Sequence, residues 1–261
     1  VFGEHGLKPE IVKMFLDPFH EGMTAEGNDN DDPRVLNQEA FDHETTTAWM
    51  CYFITEGMKR SEAGGRELEI LAGLYGPPPW MTRQGFVRGR DLDPGQFEEL
   101  AEYMAAWVKY LREAVGLPVK YLSIHNEGDA PHRWDEEGKT AGGRSHDHNA
   151  YWRPSDVVGM LKTLPEILEI NGLGDVSISA GEYSTWGHFL NDMRHHHYAR
   201  DIFEDSDALS NLGIMTSHSF WNPTDRGINL IRSRRPELKA WTTSMSWNNG
   251  WRSDVSYLDF I

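Results

Sequence analysis

The sequence has a single cysteine, Cys51, which leaves no partner for an intrachain disulfide and no thiolate pair for a zinc site. No apolar run reaches the length needed to cross a bilayer. The opening residues VFGEHGLKPE lack the pattern of a signal peptide. Positive charge is scarce: 25 Lys and Arg stand against 41 Asp and Glu, a formal net charge of −16. That balance opposes a nucleic-acid-binding surface, which needs basic side chains to neutralise phosphates. Neither GxGxxG nor GxxxxGK[ST] occurs, so a dinucleotide fold and a P-loop are both unsupported. Linkers, low-complexity tracts and repeats of fixed period are also missing.

What is there suits one large domain over residues 1–261. Hydrophobic residues make up 39% of the 261, enough for a sizeable core, and a (β/α)8 barrel typically takes about 250 residues. Short, near-continuous apolar runs alternate with longer amphipathic ones. The runs are Ile11–Asp17, Glu67–Gly76, Val119–Glu127, Val176–Tyr183, Leu212–Phe220 and Leu238–Trp247. Their apolar continuity is that of parallel strands covered on both faces.

Helical patterns lie between the runs. One starts after Asp42, a good N-cap. The clearest follows Asp93, with Phe97, Leu100, Met104, Trp107, Val108 and Leu111 on one face and Gly116 as its stop. Two more surround FLNDMRHHHYARDIF and TDRGINLIRSRR. The helix after Arg153 contains Pro165, which predicts a kink or break. Strict alternation implies right-handed βαβ units and a parallel sheet. Six strands and five helices are readable, whereas a closed barrel needs eight units.

In such folds, functional residues gather at the C-terminal ends of strands. Those ends carry, in order, Asp17 with His20 and Glu21, then Trp80, then His125-Asn126-Glu127, then Glu182, then His218 with Trp221, then Ser244 with Trp247. The third run, YLSIHNEGD, ends in Asn-Glu. It resembles the fourth strand of the large clan of retaining glycoside hydrolases built on (β/α)8 barrels, in particular family 30-like enzymes. GPPPWM, residues 76–81, is similar to the segment after their third strand, and TSHSFW resembles their sixth. The resemblance spans residues 11–247 and numbers the readable strands two to seven, so the first and last units are the ones missing.

That resemblance implies Glu127 as general acid/base and Asn126 as its neighbour on the sugar 2-hydroxyl. Such an acid needs a carboxyl whose pKa its site lifts. Trp80, His125, Glu182, His218, Trp221 and Trp247 are implied as substrate-binding residues. No cofactor is implied. The partner is an oligo- or polysaccharide, without nucleic acid or membrane, and the setting is secreted or periplasmic, with any signal peptide already removed.

The seventh strand departs from the family form. Where Trp-x-Thr-Glu ends in the catalytic nucleophile, this chain has Trp241-Thr242-Thr243-Ser244. A serine hydroxyl is not ionised near neutral pH and has no evident activating base beside it. Three readings follow: a replaced nucleophile, which is preferred; a natural, non-catalytic glycan binder; or service by another carboxylate, with Glu182 the best placed. A retaining pair would set a Glu at position 244 about 5–5.5 Å from Glu127. A metal-dependent hydrolase using His125, Glu127, Glu182 and His218 is a further alternative.

Weaker signals have plainer readings. EGNDNDDP, residues 26–33, is dense in oxygen ligands for calcium, but it lacks EF-hand spacing and reads better as Asx turns in a solvated loop at the cleft rim. His195, His196 and His197 point around a helix in different directions and read as a solvated face. Arg83, Arg88 and Arg90 fit acid-group recognition or ordinary ion pairs equally. Trp134 and Trp152 would serve as sugar platforms.

Overall fold

The six apolar runs become six strands: β1 (Ile11–Leu16), β2 (Glu69–Leu74), β3 (Val119–Ser123), β4 (Ser177–Tyr183), β5 (Ile214–His218) and β6 (Ala240–Ser244). The structure, a computed structural model, describes residues 1–20, 29–140, 148–190, 196–218 and 225–244. Each strand pairs in parallel with the next, giving the spatial order β1 to β6 without a reversal. Parallel neighbours require a crossover, and helices supply it. These are α1 (Glu44–Ala63), α2 (Phe97–Glu113), α3 (Pro154–Ile170), α4 (Trp186–Phe189), α5 (Tyr198–Glu204), α6 (Ser206–Asn211) and α7 (Arg226–Arg232). None of the helices is long and apolar enough to cross a membrane, among the described residues.

The sheet is curled. On a flat sheet β1 and β4 would lie three strand spacings apart, about 14 Å. Lys13 of β1 nevertheless meets Glu182 of β4 at 2.6 Å. The Tyr121 ring of β3 packs edge-on against Trp241 of β6, centroids 4.6 Å apart. The outer face of the sheet is apolar: Met14, Leu16, Ile70, Ala72, Leu122, Ile124 and Ile178 join Leu100, Met104, Trp107, Leu161 and Leu164 of α2 and α3 in one core. The inner face is polar and aromatic. A cavity of about 420 Å³ between the edge strands is lined by Ile11, Lys13 and Leu71 on one side and by residues 240–243 of β6 on the other; Glu127, Glu182, His218 and Ser244 do not line it. The architecture is therefore a partial barrel of six strands, with β1 and β6 as its two edges.

Helix boundaries follow local chemistry. Asp42 accepts hydrogen bonds from the Glu44 and Thr45 amides, which caps α1 as expected. Gly116, past α2, adopts φ +78°, the left-handed geometry that a helix stop favours in glycine. The break expected at Pro165 does not occur, and α3 runs on to Ile170. Proline removes the amide that would have served the Leu161 carbonyl, four residues back. The Asn211 side-chain amide donates to that carbonyl instead, at 3.0 Å. The single helix expected around FLNDMRHHHYARDIF is divided into α4, α5 and α6. Asp205 separates the last two by accepting from the Asp207 and Ala208 amides.

Asn211→Ala should therefore destabilise the chain by about 1–2 kcal/mol, because it leaves the Leu161 carbonyl without its donor. Urea unfolding measures this, and an unchanged midpoint would show that the amide contributes nothing.

Candidate active site

The C-terminal ends of β3 to β6 bring together Asn126, Glu127, Glu182, His218 and Ser244. After β3 the chain does not simply continue as strand. The Asn126 backbone bridges to Glu182, and the Glu127 amide donates to the Glu182 carbonyl at 2.7 Å. Glu127 then turns with φ +50°, a left-handed conformation that costs a β-carbon-bearing residue about 1 kcal/mol or more. The surroundings hold it there. The Asn149 side-chain amide donates to the carbonyls of both Asn126 and Glu127, at 3.0 and 2.9 Å. Asp129, fully buried, accepts from the amide and hydroxyl of Ser184 and pairs with His188.

The Glu127 carboxylate lies between two cations-in-waiting. Oε1 is 2.8 Å from His218 Nδ1, and Oε2 is 2.6 Å from the Arg133 guanidinium. Glu182 has no exposure at all. Its Oε2 pairs with Lys13 Nζ at 2.6 Å and lies 3.6 Å from His218 Nε2. Lys13 Nζ also donates to Asn126 Oδ1 at 3.2 Å. Gly73 leaves room for this carboxylate: a β-carbon there would sit 3.0 Å from Glu182 Oε1. The result is one charge circuit, Arg133–Glu127–His218–Glu182–Lys13–Asn126.

The circuit sets protonation. Burial pushes the Glu127 carboxyl up, but His218 and Arg133 outweigh it and hold the pKa below its ordinary value. The expectation of a lifted pKa does not hold, because the residue has two positively charged or protonatable donors and no carboxylate facing it from position 244. Burial also opposes ionisation of Glu182, yet Lys13 and His218 bring it down to about 2. Burial pulls His218 down, and its bonds to Glu127 and Glu182 more than reverse this, so its pKa is raised.

Position 244 belongs to this group by register. Ser244 of β6 pairs with His218 of β5, the residue bonded to Glu127. Other expected residues lie elsewhere. His125 points into the layer between sheet and helices, boxed by the Trp152 and Tyr183 rings. Burial brings its imidazole down to about 4, and Gly181 has no β-carbon to collide with it. It is a packing residue past the end of β3. Trp80 is half-buried on a turn after β2 and packs on the core. Trp221 and Trp247 lie outside the described residues, as do Glu21 and His195.

Trp134 and Trp152 are not sugar platforms. Both are buried; Trp152 stacks on Phe97, and Trp134 donates to the Arg88 carbonyl. Arg90 is engaged by Asp91. His196 and His197 precede α5 rather than forming a solvated helix face; His196 stacks on His188, and His197 pairs with Asp201. Of the four residues of the metal-dependent alternative, Glu127, Glu182 and His218 meet, but as an ion-pair chain, and His125 points away from them. Among the described residues the one group of three or more ligand-type side chains with donor atoms within 4.8 Å of each other is Asp29, Glu99 and Glu102.

Sequence reasoning missed Lys13, Arg133 and Asn149. Lys13 carried a signal, since a lysine in the middle of IVKMFL is an ionisable residue on one face of an apolar strand. Arg133 and Asn149 lie in loops and carried none.

No family model matches the sequence, and no curated protein matches it. Solved structures do. SrfJ from Salmonella typhimurium superposes with a TM-score of 0.67 at 15% identity, over 96% of this chain and 52% of that one. The endo-beta1,6-glucanase BT3312 gives 0.66 at 16%, over 95% and 50%. A GH30 endoxylanase from Clostridium papyrosolvens gives 0.56 at 17%, over 90% and 49%. This chain spans about half the length of the structures it matches. Identities this low establish a shared architecture, that of barrels found in glycoside hydrolases.

Removing Lys13 tests the circuit. Lys13→Met leaves a buried carboxylate without its counter-charge and should cost about 3–5 kcal/mol, largely recovered in Lys13→Met/Glu182→Gln. Glu182, with a pKa held at about 2 against 4.5 unfolded, contributes stability above pH 4.5 that is lost as pH falls towards 2. His218, raised from 6.5, contributes stability below that value that is lost as pH rises through its folded pKa. Chemical denaturation across pH should show an acid limb that Glu182→Gln flattens. An identical acid limb in that variant would contradict the assignment.

Proposed function

We propose that the chain is most of a glycoside-hydrolase-type barrel whose cleft binds an oligo- or polysaccharide, with Glu127 at the acid/base position and Ser244 at that of the nucleophile. The observation that supports this best is the register pairing of Ser244 with His218, the residue whose imidazole bonds Glu127. The ends of β3 and β6 are three strands apart, and His218 at the end of β5 links them, which supports facing positions 127 and 244 as two-carboxylate chemistry requires.

With a carboxylate at 244, the first step would be attack of its oxygen on the anomeric carbon. The bond to the leaving oxygen breaks as Glu127 delivers its proton to that oxygen. In the second step water attacks the anomeric carbon, gives its proton to Glu127, and frees the carboxylate. Ser244 stops this at the first step, since its neutral hydroxyl neither attacks nor stabilises an oxocarbenium-like charge. Glu127 held as a carboxylate is likewise in the wrong state to donate a proton. The chain as it stands is thus a binder. A carboxylate restored at 244 would face Glu127 and oppose its ionisation, raising its pKa towards the range an acid needs.

The test is Ser244→Glu, assayed on aryl glycosides, xylan and β-1,6-glucan. Turnover should appear, and Glu127→Gln in that background should lose it by about 100-fold or more. A folded Ser244→Glu protein with no turnover on any glycan would contradict the nucleophile position. Glycan binding by the unmodified chain, read by calorimetry, should be present. Its absence would remove the binding claim.

A further inference from the structure

The acidic segment after β1 has a partner that its sequence did not reveal. Asn30 and Asp32 form the expected Asx turns, accepting from the Asp32 and Arg34 amides. Asp29 does something else. Its Oδ2 is fixed by the Asn30 side-chain amide and the Asn37 backbone amide, both at 2.7 Å. That orientation brings its carboxylate to Glu99 and Glu102, which are neighbours one turn apart on α2. One oxygen from each of the three lies within 4.8 Å of the others.

Glu102 makes this more than an acidic surface. It is 1% exposed, and its Oε1 is buried with no hydrogen-bond partner. The nearby arginine gives it no relief, since Arg34 turns to Glu98 and Glu166 at 3.5 and 3.3 Å. A buried carboxyl aimed at two others is costly unless a proton or a cation compensates it. Burial, followed by the charge of Asp29, a hydrogen bond with Asp29 and the charge of Glu99, pushes its pKa up to about 9 in the absence of a cation. Gln38, from the same stretch after β1, donates its amide to the carbonyl of Ala106, one turn further along α2, and keeps its own buried Oε1 without a partner. The donors are all hard oxygens, with no imidazole or thiolate, which suits calcium rather than zinc.

We propose that Asp29, Glu99 and Glu102 bind a calcium ion that fastens the loop after β1 to the first turns of α2. The ion would fix one wall of the rim on the strand-end face, where a helix following a parallel strand begins. The site is separate from the Glu127 circuit and stands or falls independently of it.

Calcium chloride titrated calorimetrically into the chelator-stripped protein should show one saturable site, and Tm should rise with calcium. Magnesium should raise it less. Glu102→Gln, which keeps the shape and removes the charge, should weaken calcium binding at least tenfold and abolish the Tm response. Asp29→Asn should do the same from the loop side. If Tm is indifferent to calcium up to several millimolar, with Glu102→Gln more stable than the unmodified chain, Glu102 simply holds a proton and the proposal fails. Undiminished binding in both variants would place the ion elsewhere and also overturn it.

Discussion

The Lys13–Glu182 ion pair is the interaction on which the site depends. A glutamate with no solvent exposure is tolerable only because a lysine from a strand three places away reaches it at 2.6 Å. The pair spans the interior and ties the first strand to the fourth, so the curl of the sheet and the ionisation of Glu182 are one constraint. Lys13 also donates to Asn126, and Glu182 lies beside His218. Once that pair is in place, the ends of β3, β4 and β5 have little freedom relative to β1. The backbone bonds between Glu127 and Glu182 complete the arrangement.

A consequence follows for chemistry. The circuit contains two carboxylates, Glu127 and Glu182, and three basic groups, Lys13, His218 and Arg133. With that ratio both carboxylates are stabilised as anions. An acid catalyst needs the opposite bias, and in two-carboxylate sites the second carboxylate supplies it by repulsion. Ser244, at the position paired with His218, supplies no such repulsion. In the function proposed above, the missing nucleophile and the acid's unraised pKa would be two effects of one residue. The proposal of binding without turnover rests on this combination, because the other polar residues at the strand ends are all present.

The sheet was legible in the sequence because its signal is local. Apolar runs such as Glu67–Gly76 contain their strands whole, and the order of the crossovers follows from alternation. The proposed roles of Glu127 and Ser244 come from the family resemblance alone, but their standing at strand ends was legible, since each closes an apolar run. Three things were not. His125 reads as a cleft residue beside Asn126, but it lies past the end of β3, outside the strand's alternation, and turns to the helix layer, where Trp152 and Tyr183 enclose it. The continuity of α3 through Pro165 depends on Asn211, 46 residues away in sequence, and no local pattern reports that. Arg133 and Asn149 act from loops whose conformation is set by tertiary bonds. The acidic segment after β1 was visible as composition, yet its carboxylate partners sit on a helix some 70 residues later.

Everything proposed for the site requires that the circuit hold Glu127 as a carboxylate. That ionisation is tested most directly by following the side-chain carboxyl carbon of Glu127 by NMR through a pH titration of the unmodified chain. A midpoint below the ordinary glutamate value of 4.5 is expected. A midpoint above about 6, in the range of a working general acid, would contradict it.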